Sequence, residues 1–154
     1  WLENKLLKQV EIMNSENTDL CICGYEIYDF SHKYLGMRVP PKNISYLNMH
    51  FANWIPTSMA LFRSSLKNSK KMSELRRRQD YAFWLSLLKS NPKMKISVTP
   101  AVLGKYHRQI DSLSSSKLTN LKLNYKMFRT QTRYNIFLSV LFVFLNIITR
   151  MFRT

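Results

Sequence analysis

The spacing of apolar and polar positions changes several times along the chain, and each change marks an element. Leu2, Leu6, Leu7, Val10 and Met13 recur at helical spacing, which predicts a helix within 1–14 with those residues facing a core. The run from Asp19 to Phe30, rich in Leu, Ile, Cys and Tyr, predicts a strand. Gly36 and Pro40-Pro41 make 31–42 a connector with a short extended piece, and 43–53 reads as a short helix or turn. Ile55 to Phe62 predicts a second strand entered through Pro56, and the basic stretch from Arg63 to Arg78 predicts a loop. The clearest helix runs from Gln79 to Leu88, with Tyr81, Trp84, Leu85 and Leu88 on one face and Asn91-Pro92 as its stop. Two short strands, 94–98 and 102–106, are expected around Pro100, followed by a Ser-rich turn at 110–116. Leu118, Leu121, Tyr125 and Phe128 then mark a basic amphipathic helix.

The last segment is the most apolar. Between Arg133 and Arg150 lie 16 uncharged residues, mostly Phe, Leu, Ile and Val, broken by Asn135, Ser139 and Asn146. A membrane-spanning helix takes about 20 apolar residues. The segment is therefore expected to lie at a membrane surface, its flanking arginines reaching the headgroups, or else to pack on the rest of the protein or on a partner, rather than to span.

Charge divides the chain. Residues 1–60 carry five basic and six acidic side chains, net −1, whereas residues 61–154 carry 19 basic and three acidic ones, net +16, which together give the formal +15. An imbalance of this size points to an anionic partner for the second part, nucleic acid or an anionic membrane being the two general candidates. Apolar residues make up 45% of the chain, enough for a packed core, which excludes a wholly disordered chain. Cys21 and Cys23 lie on one strand face too close together for a disulfide and without a Cys or His cluster to complete a zinc site, so reduced thiols in the cytoplasm are expected. The chain begins with Trp1 rather than Met, so it is expected to be part of something longer.

No Gly-rich phosphate loop, H-E-x-x-H or G-x-S-x-G motif occurs. The scarce carboxylates of the basic part are more informative. Asp80 follows Arg76-Arg77-Arg78-Gln79 and opens the best helix in the chain. A carboxylate there suits the helix dipole, and it equally suits a base held at the edge of a cleft with a rigid aromatic helix behind it.

The stretch from Arg78-Gln79-Asp80-Tyr81 through Trp84-Leu85 to Lys89 resembles the E-D or Q-D motif of family 2 glycosyltransferases with the GT-A fold. Trp1-Leu2-Glu3-Asn4-Lys5-Leu6 with Gln9 resembles the stretch that follows the family's D-x-D metal motif, and Asn53-Trp54-Ile55-Pro56-Thr57-Ser58 the strand before its basic loop. Leu103-Gly104-Lys105-Tyr106 with Asp111 to Lys117 resembles its closing segment, with His107 and Arg108 where the family has an arginine. Four motifs in order cover nearly the whole chain, and they look most like bacterial enzymes of capsule, lipopolysaccharide or teichuronic acid synthesis.

The resemblance implies an α/β chain that forms an incomplete GT-A fold. Residues 1–116 would supply the C-terminal part of the mixed sheet with its flanking helices, and 117–154 a basic amphipathic helix and an apolar, membrane-associated one. It implies an inverting transfer from a nucleotide-sugar donor to a saccharide or lipid-linked acceptor, with Asp80 as general base. Gln79, Asn53, Trp54, Thr57, Ser58, His107 and Arg108 would contact substrates. The Mg²⁺ or Mn²⁺ of such enzymes and its D-x-D ligands are expected before Trp1, so this chain alone would be inactive. The expected place is the inner face of the plasma membrane. The alternatives are a basic nucleic-acid-binding module, which lacks a recognisable binding motif, and an inactive truncated remnant.

Overall fold

The computed structural model describes residues 1–66, 75, 77–108 and 117–152, with only the backbone of Lys117 and Arg150. In chain order it contains α1 (Lys5–Ser15), β1 (Leu20–Tyr28), β2 (Tyr34–Arg38), β3 (Ala60–Phe62), α2 (Gln79–Ser90), β4 (Ile96–His107), α3 (Lys117–Thr130) and α4 (Ile136–Phe152). Short 3₁₀ turns occupy Asn48–His50, Thr57–Met59 and Ser64–Leu66. The class is α/β, with a mixed four-stranded sheet and four helices among the described residues.

The chain divides into two compact units. The first consists of Trp1–Ile44, Trp54–Asn68 and Lys93–Ser112, the second of Ser45–Asn53, Ser69–Pro92 and Leu113–Thr154. The sheet belongs to the first. Its centre is β1, antiparallel to β3 through Leu20–Ile22 and to β2 through Tyr25–Tyr28, and parallel to β4 along its whole length. A central strand reads as a nearly continuous apolar run because both of its faces are covered, and Leu20, Cys21, Ile22 and Cys23 are all fully buried. The predicted pair of strands around Pro100 is one strand. Its ladder with β1 skips from Thr99 to Val102, so Pro100, which has no N–H to donate, is taken up in a bulge instead of ending the strand. The predicted strand over 55–62 is shorter than expected: Thr57–Met59 form a 3₁₀ turn and only Ala60–Phe62 pair.

Helix α1 forms where expected, and Met13 of the expected stripe is buried, but the rest of its inner face differs. Lys5, Gln9 and Met13 point inward while Leu6, Leu7 and Val10 are exposed. The inward polar pair is satisfied: Lys5 Nζ donates to Gln9 Oε1 at 2.6 Å, and Gln9 Nε2 donates to the Cys21 and Met59 carbonyls at 3.0 and 2.9 Å. Gln9 thus ties α1 to β1 and to the start of β3, a job no apolar side chain can do. Lys5 also lies 4.4 Å from the centre of the Trp1 ring, and burial lowers its pKa. Cys21 and Cys23 are free thiols, both buried and both with pKa values raised by that burial.

The second unit is helical. α2 is buried on nearly all sides, with Tyr81, Ala82, Phe83, Trp84, Leu85, Leu87 and Leu88 all inaccessible. α3 turns Asn120, Asn124, Met127 and Phe128 inward, and Leu118 outward, so its buried stripe lies beside the predicted one. Residues 67–74, 76 and 109–116, which include most of the expected basic loop and the Ser-rich turn, lie outside the described residues.

Candidate functional site

Asp80 stands in the first turn of α2, where the leading amide groups have no helical partners and a carboxylate is favoured. The helix starts from Arg78, whose backbone takes a left-handed φ of 64° and whose carbonyl accepts the Ala82 N–H at 3.0 Å. The Arg78 guanidinium donates to Asn120 Oδ1 on α3 at 2.6 Å, which fixes the entry to α2 from the other side. Next to Asp80, the Tyr81 hydroxyl donates to the Met49 carbonyl, so the first turn of α2 is tied to the 3₁₀ turn at 48–50. Asn53, just beyond that turn, donates from Nδ2 to Asp80 Oδ2 at 3.1 Å.

The half-buried carboxylate is therefore held by a neighbouring amide and by a helix whose next residue is anchored, while Gln79 beside it is exposed. One carboxylate oxygen is occupied by a neutral donor. An arrangement of this kind can accept a proton from a bound hydroxyl without a change of rotamer.

Of the candidates read from the sequence, the structure joins Asn53 to Asp80 and places Gln79 next to them, all in the helical unit. Trp54, Thr57, Ser58, His107 and Arg108 belong to the sheet unit. There Trp54 is half-buried, while Thr57 and Ser58 are exposed on the 3₁₀ turn; the Ser58 carbonyl accepts from Trp1 Nε1 at 2.8 Å. His107 ends β4 in an aromatic cluster that the sequence reading missed. Its ring stacks on Tyr28 at 5.4 Å and meets the edge of His32 at 5.0 Å, and Lys105 Nζ lies 5.4 Å from the centre of the Tyr28 ring. Arg108 leaves the strand with its N–H bonded to the Tyr28 carbonyl at 2.8 Å and its side chain exposed. The pairing of Tyr28 with His107 in the β1–β4 register is the signal that would have found the cluster, and it needs the parallel ladder to be known.

A second missed feature is the polar network behind α2. His50 is fully buried. Its Nδ1 faces the carbonyls of Tyr46 and Leu47 at 2.7 and 3.2 Å, so that nitrogen carries the proton. Nε2 then accepts from the Tyr134 hydroxyl at 2.8 Å, which in turn accepts from the Tyr46 hydroxyl at 2.7 Å. Burial holds the His50 pKa below the usual histidine value and pushes the Tyr46 and Tyr81 hydroxyls up.

Among the described residues no three His, Cys, Asp or Glu side chains come together to hold a metal ion. A shallow opening of about 90 Å³ lies beside α2, lined by Tyr46, Phe83, Ser86, Lys89, Gln131 and Thr132, and it does not include Asp80.

No family model matches the chain. Among characterised proteins it is similar to UDP-Glc:alpha-D-GlcNAc-diphosphoundecaprenol beta-1,3-glucosyltransferase WfgD of Escherichia coli, with 29% identity over 122 residues. The match covers 79% of this chain and 47% of the relative, so the chain spans about half the length of the curated relative it matches.

Proposed function

We propose that the chain is the acceptor-side, C-terminal part of an inverting family 2 glycosyltransferase with the GT-A fold, and that Asp80 is its general base. In this reading an acceptor hydroxyl attacks the anomeric carbon of a nucleotide-activated sugar. The new C–O bond forms as the bond to the diphosphate oxygen breaks, and the hydroxyl proton passes to the Asp80 carboxylate. The observation that carries the reading is the placement of Asp80, on the first turn of a buried aromatic helix with Asn53 at 3.1 Å as its partner. The similarity to a bacterial glucosyltransferase supports the reaction class.

Gln79, exposed beside the base, would orient the donor diphosphate. Trp54, Thr57 and Ser58 would contact sugar hydroxyls and ring faces, and His107 with Arg108 would meet a diphosphate. The divalent ion such enzymes use is assigned to no described residue. The relative's donor and acceptor, UDP-glucose and a diphosphoundecaprenol-linked GlcNAc, are the first pair to test. A lipid-linked acceptor would place the enzyme at the inner face of the plasma membrane, in synthesis of a surface polysaccharide such as capsule or lipopolysaccharide.

The test is a transfer assay with the full-length enzyme, reading the product linkage by NMR. Glucose transferred with inversion at the anomeric carbon is expected. Retention of configuration would remove the single-displacement role of Asp80. No transfer from any of a panel of nucleotide sugars, with a folded protein, would remove the enzymatic reading.

A further inference from the structure

Helix α4 is built the wrong way round for a helix that ends in water. Its residues facing the protein include the polar ones. Ser139 is fully buried, and its hydroxyl bonds to the Asn135 carbonyl at 2.9 Å. Asn146 donates to the His50 carbonyl at 2.5 Å and to the Phe142 carbonyl at 2.9 Å, and accepts from Asn124 at 3.3 Å. Phe142, on the same side, packs its ring 4.5 Å from His50 and 5.6 Å from Phe128.

The outward face is apolar instead. Ile136, Phe137, Val140, Leu141, Phe144, Met151 and Phe152 are all exposed, Phe137 at 76% and Phe144 at 57%. At 3.6 residues per turn these positions fill an arc of about 160°, opposite an arc of about 60° that holds Ser139, Phe142 and Asn146. Asn146 thus docks the helix, buried Ser139 closes its hydrogen bond within the helix, and the outward Phe, Leu and Val side chains are left for something else to cover.

Charge indicates what covers it. Residues 112–154 contain seven Lys and Arg and no Asp or Glu. Lys122, Lys126 and Arg129 lie along α3, and Arg133 in the turn that leads into α4; all four are exposed. A protein partner would have to supply an apolar groove rimmed by acids, whereas an anionic bilayer offers both features over any area. The 17 residues of α4 span about 25 Å, and no helix among the described residues is long and apolar enough to cross a membrane.

We propose that the outward face of α4 is a docking surface for an anionic lipid bilayer, on which the helix lies in the plane of the headgroup boundary while Phe142 and Asn146 keep it attached to the protein. This gives the membrane location in the proposed function a physical device, and it stands on the packing of α4 whether or not Asp80 is a catalytic base.

The test is co-sedimentation of the intact chain with vesicles of phosphatidylglycerol and phosphatidylcholine, against vesicles of phosphatidylcholine alone. Binding to the anionic vesicles is expected, weaker by at least about tenfold on the neutral ones, and reduced by salt. Phe137→Glu with Phe144→Glu should lower it by at least about tenfold with an unchanged circular dichroism spectrum, and Lys122→Gln with Lys126→Gln should remove part of the salt-sensitive binding. Phe30→Glu, at an exposed apolar residue of the sheet unit, should leave it unchanged. In the otherwise intact protein, Phe144→Trp should show a blue-shifted emission that brominated lipids quench. Undiminished binding of the folded double glutamate variant would overturn the proposal. So would an emission of the Phe144→Trp variant indifferent to vesicles, or self-association in ultracentrifugation that the double variant abolishes while the intact chain ignores lipid.

Discussion

Asp80 shows how much one residue's surroundings can say. Its place after three arginines and before Tyr81 is visible in the sequence, and so is its helix start. Its partner is not, because Asn53 lies 27 positions away and reaches it only once the turn at 48–50 has been tied to α2 by Tyr81. If Asp80 is the base, Asp80→Asn in the full-length enzyme should lower kcat by about 10²–10⁴-fold, since general-base catalysis contributes about that much. KM for the donor should change little, and stability should fall by no more than about 1 kcal/mol, the scale of a helix-end interaction. Near-normal turnover of a folded Asn variant would remove Asp80 from the chemistry. His50 makes a different prediction. A histidine buried neutral has its folded pKa below its unfolded value of about 6.5, so the unfolded chain binds the extra proton first. The stability it supports is complete above that value and is lost as pH falls through the lowered folded one. The loss can reach about 1.4 kcal/mol per pH unit within that window. Thermal melts from pH 7.5 to 5 should therefore fall more steeply for the native chain than for His50→Gln, which keeps hydrogen-bonding capacity but does not titrate. Parallel slopes would show that His50 does not carry the dependence.

At the scale of the element, helices and strands are legible where burial is periodic and obscured where a polar side chain has a buried partner. In α1 the apolar stripe predicts Leu6, Leu7 and Val10 as the inner face, yet Lys5 and Gln9 hold that place, Lys5 at 2% exposure. Periodicity scores hydrophobicity, and it cannot see that the Cys21 and Met59 carbonyls need a donor that Gln9 provides. The same holds for α3, where Asn120 and Asn124 are buried, Asn120 against Arg78. The division of β4 at Pro100 fails for another reason, since a bulge absorbs a residue without an N–H and the parallel ladder resumes at Val102. By contrast the four residues that the periodicity of α2 selects, Tyr81, Trp84, Leu85 and Leu88, are all buried, and Ala82, Phe83 and Leu87 are buried with them. These cases bear on α4, which is tied to the protein by the amide of Asn146 and by the ring contacts of Phe142. Asn146→Leu removes the donors to the His50 and Phe142 carbonyls and leaves Asn124 without its acceptor. Unmet buried polar groups of this kind cost about 1–3 kcal/mol each, so urea unfolding should show a loss of at least about 1 kcal/mol, although leucine makes the helix itself more apolar. A gain in stability would mean that α4 is held by its rings, with the Asn146 bonds incidental.

For the whole molecule, the sequence carries the α/β class and the charge division, while the grouping of residues into two units follows from contacts between distant segments. Residues 45–53 belong with α2, α3 and α4 and are separated from the adjoining Trp54, so no boundary drawn along the chain reproduces the division. This grouping bears on the proposed reaction. The base and its amide partner lie in the helical unit, and the aromatic and basic candidates His107, Arg108 and Trp54 lie in the sheet unit. Neither unit, among its described residues, gathers three His, Cys, Asp or Glu side chains able to hold a metal ion, and the chain contains no Gly-rich phosphate loop. A sugar nucleotide carries two phosphates, and tight binding of such a group calls for converging amide donors or a bound cation to balance the charge. The chain spans about half the length of the glucosyltransferase it resembles, and the proposed function gives the donor diphosphate only Gln79, His107 and Arg108 among the described residues and gives the divalent ion none. Isothermal calorimetry of the 154-residue chain with UDP-glucose and a divalent cation should therefore show binding no tighter than about millimolar, the level reached by a few surface cations without a built cradle. The same titration with the full-length enzyme should show metal-dependent binding at least about tenfold tighter, consistent with the KM range of working enzymes. Micromolar, metal-dependent binding by the chain alone would place the donor site within these residues, and the acceptor-side assignment of the chain would have to be abandoned.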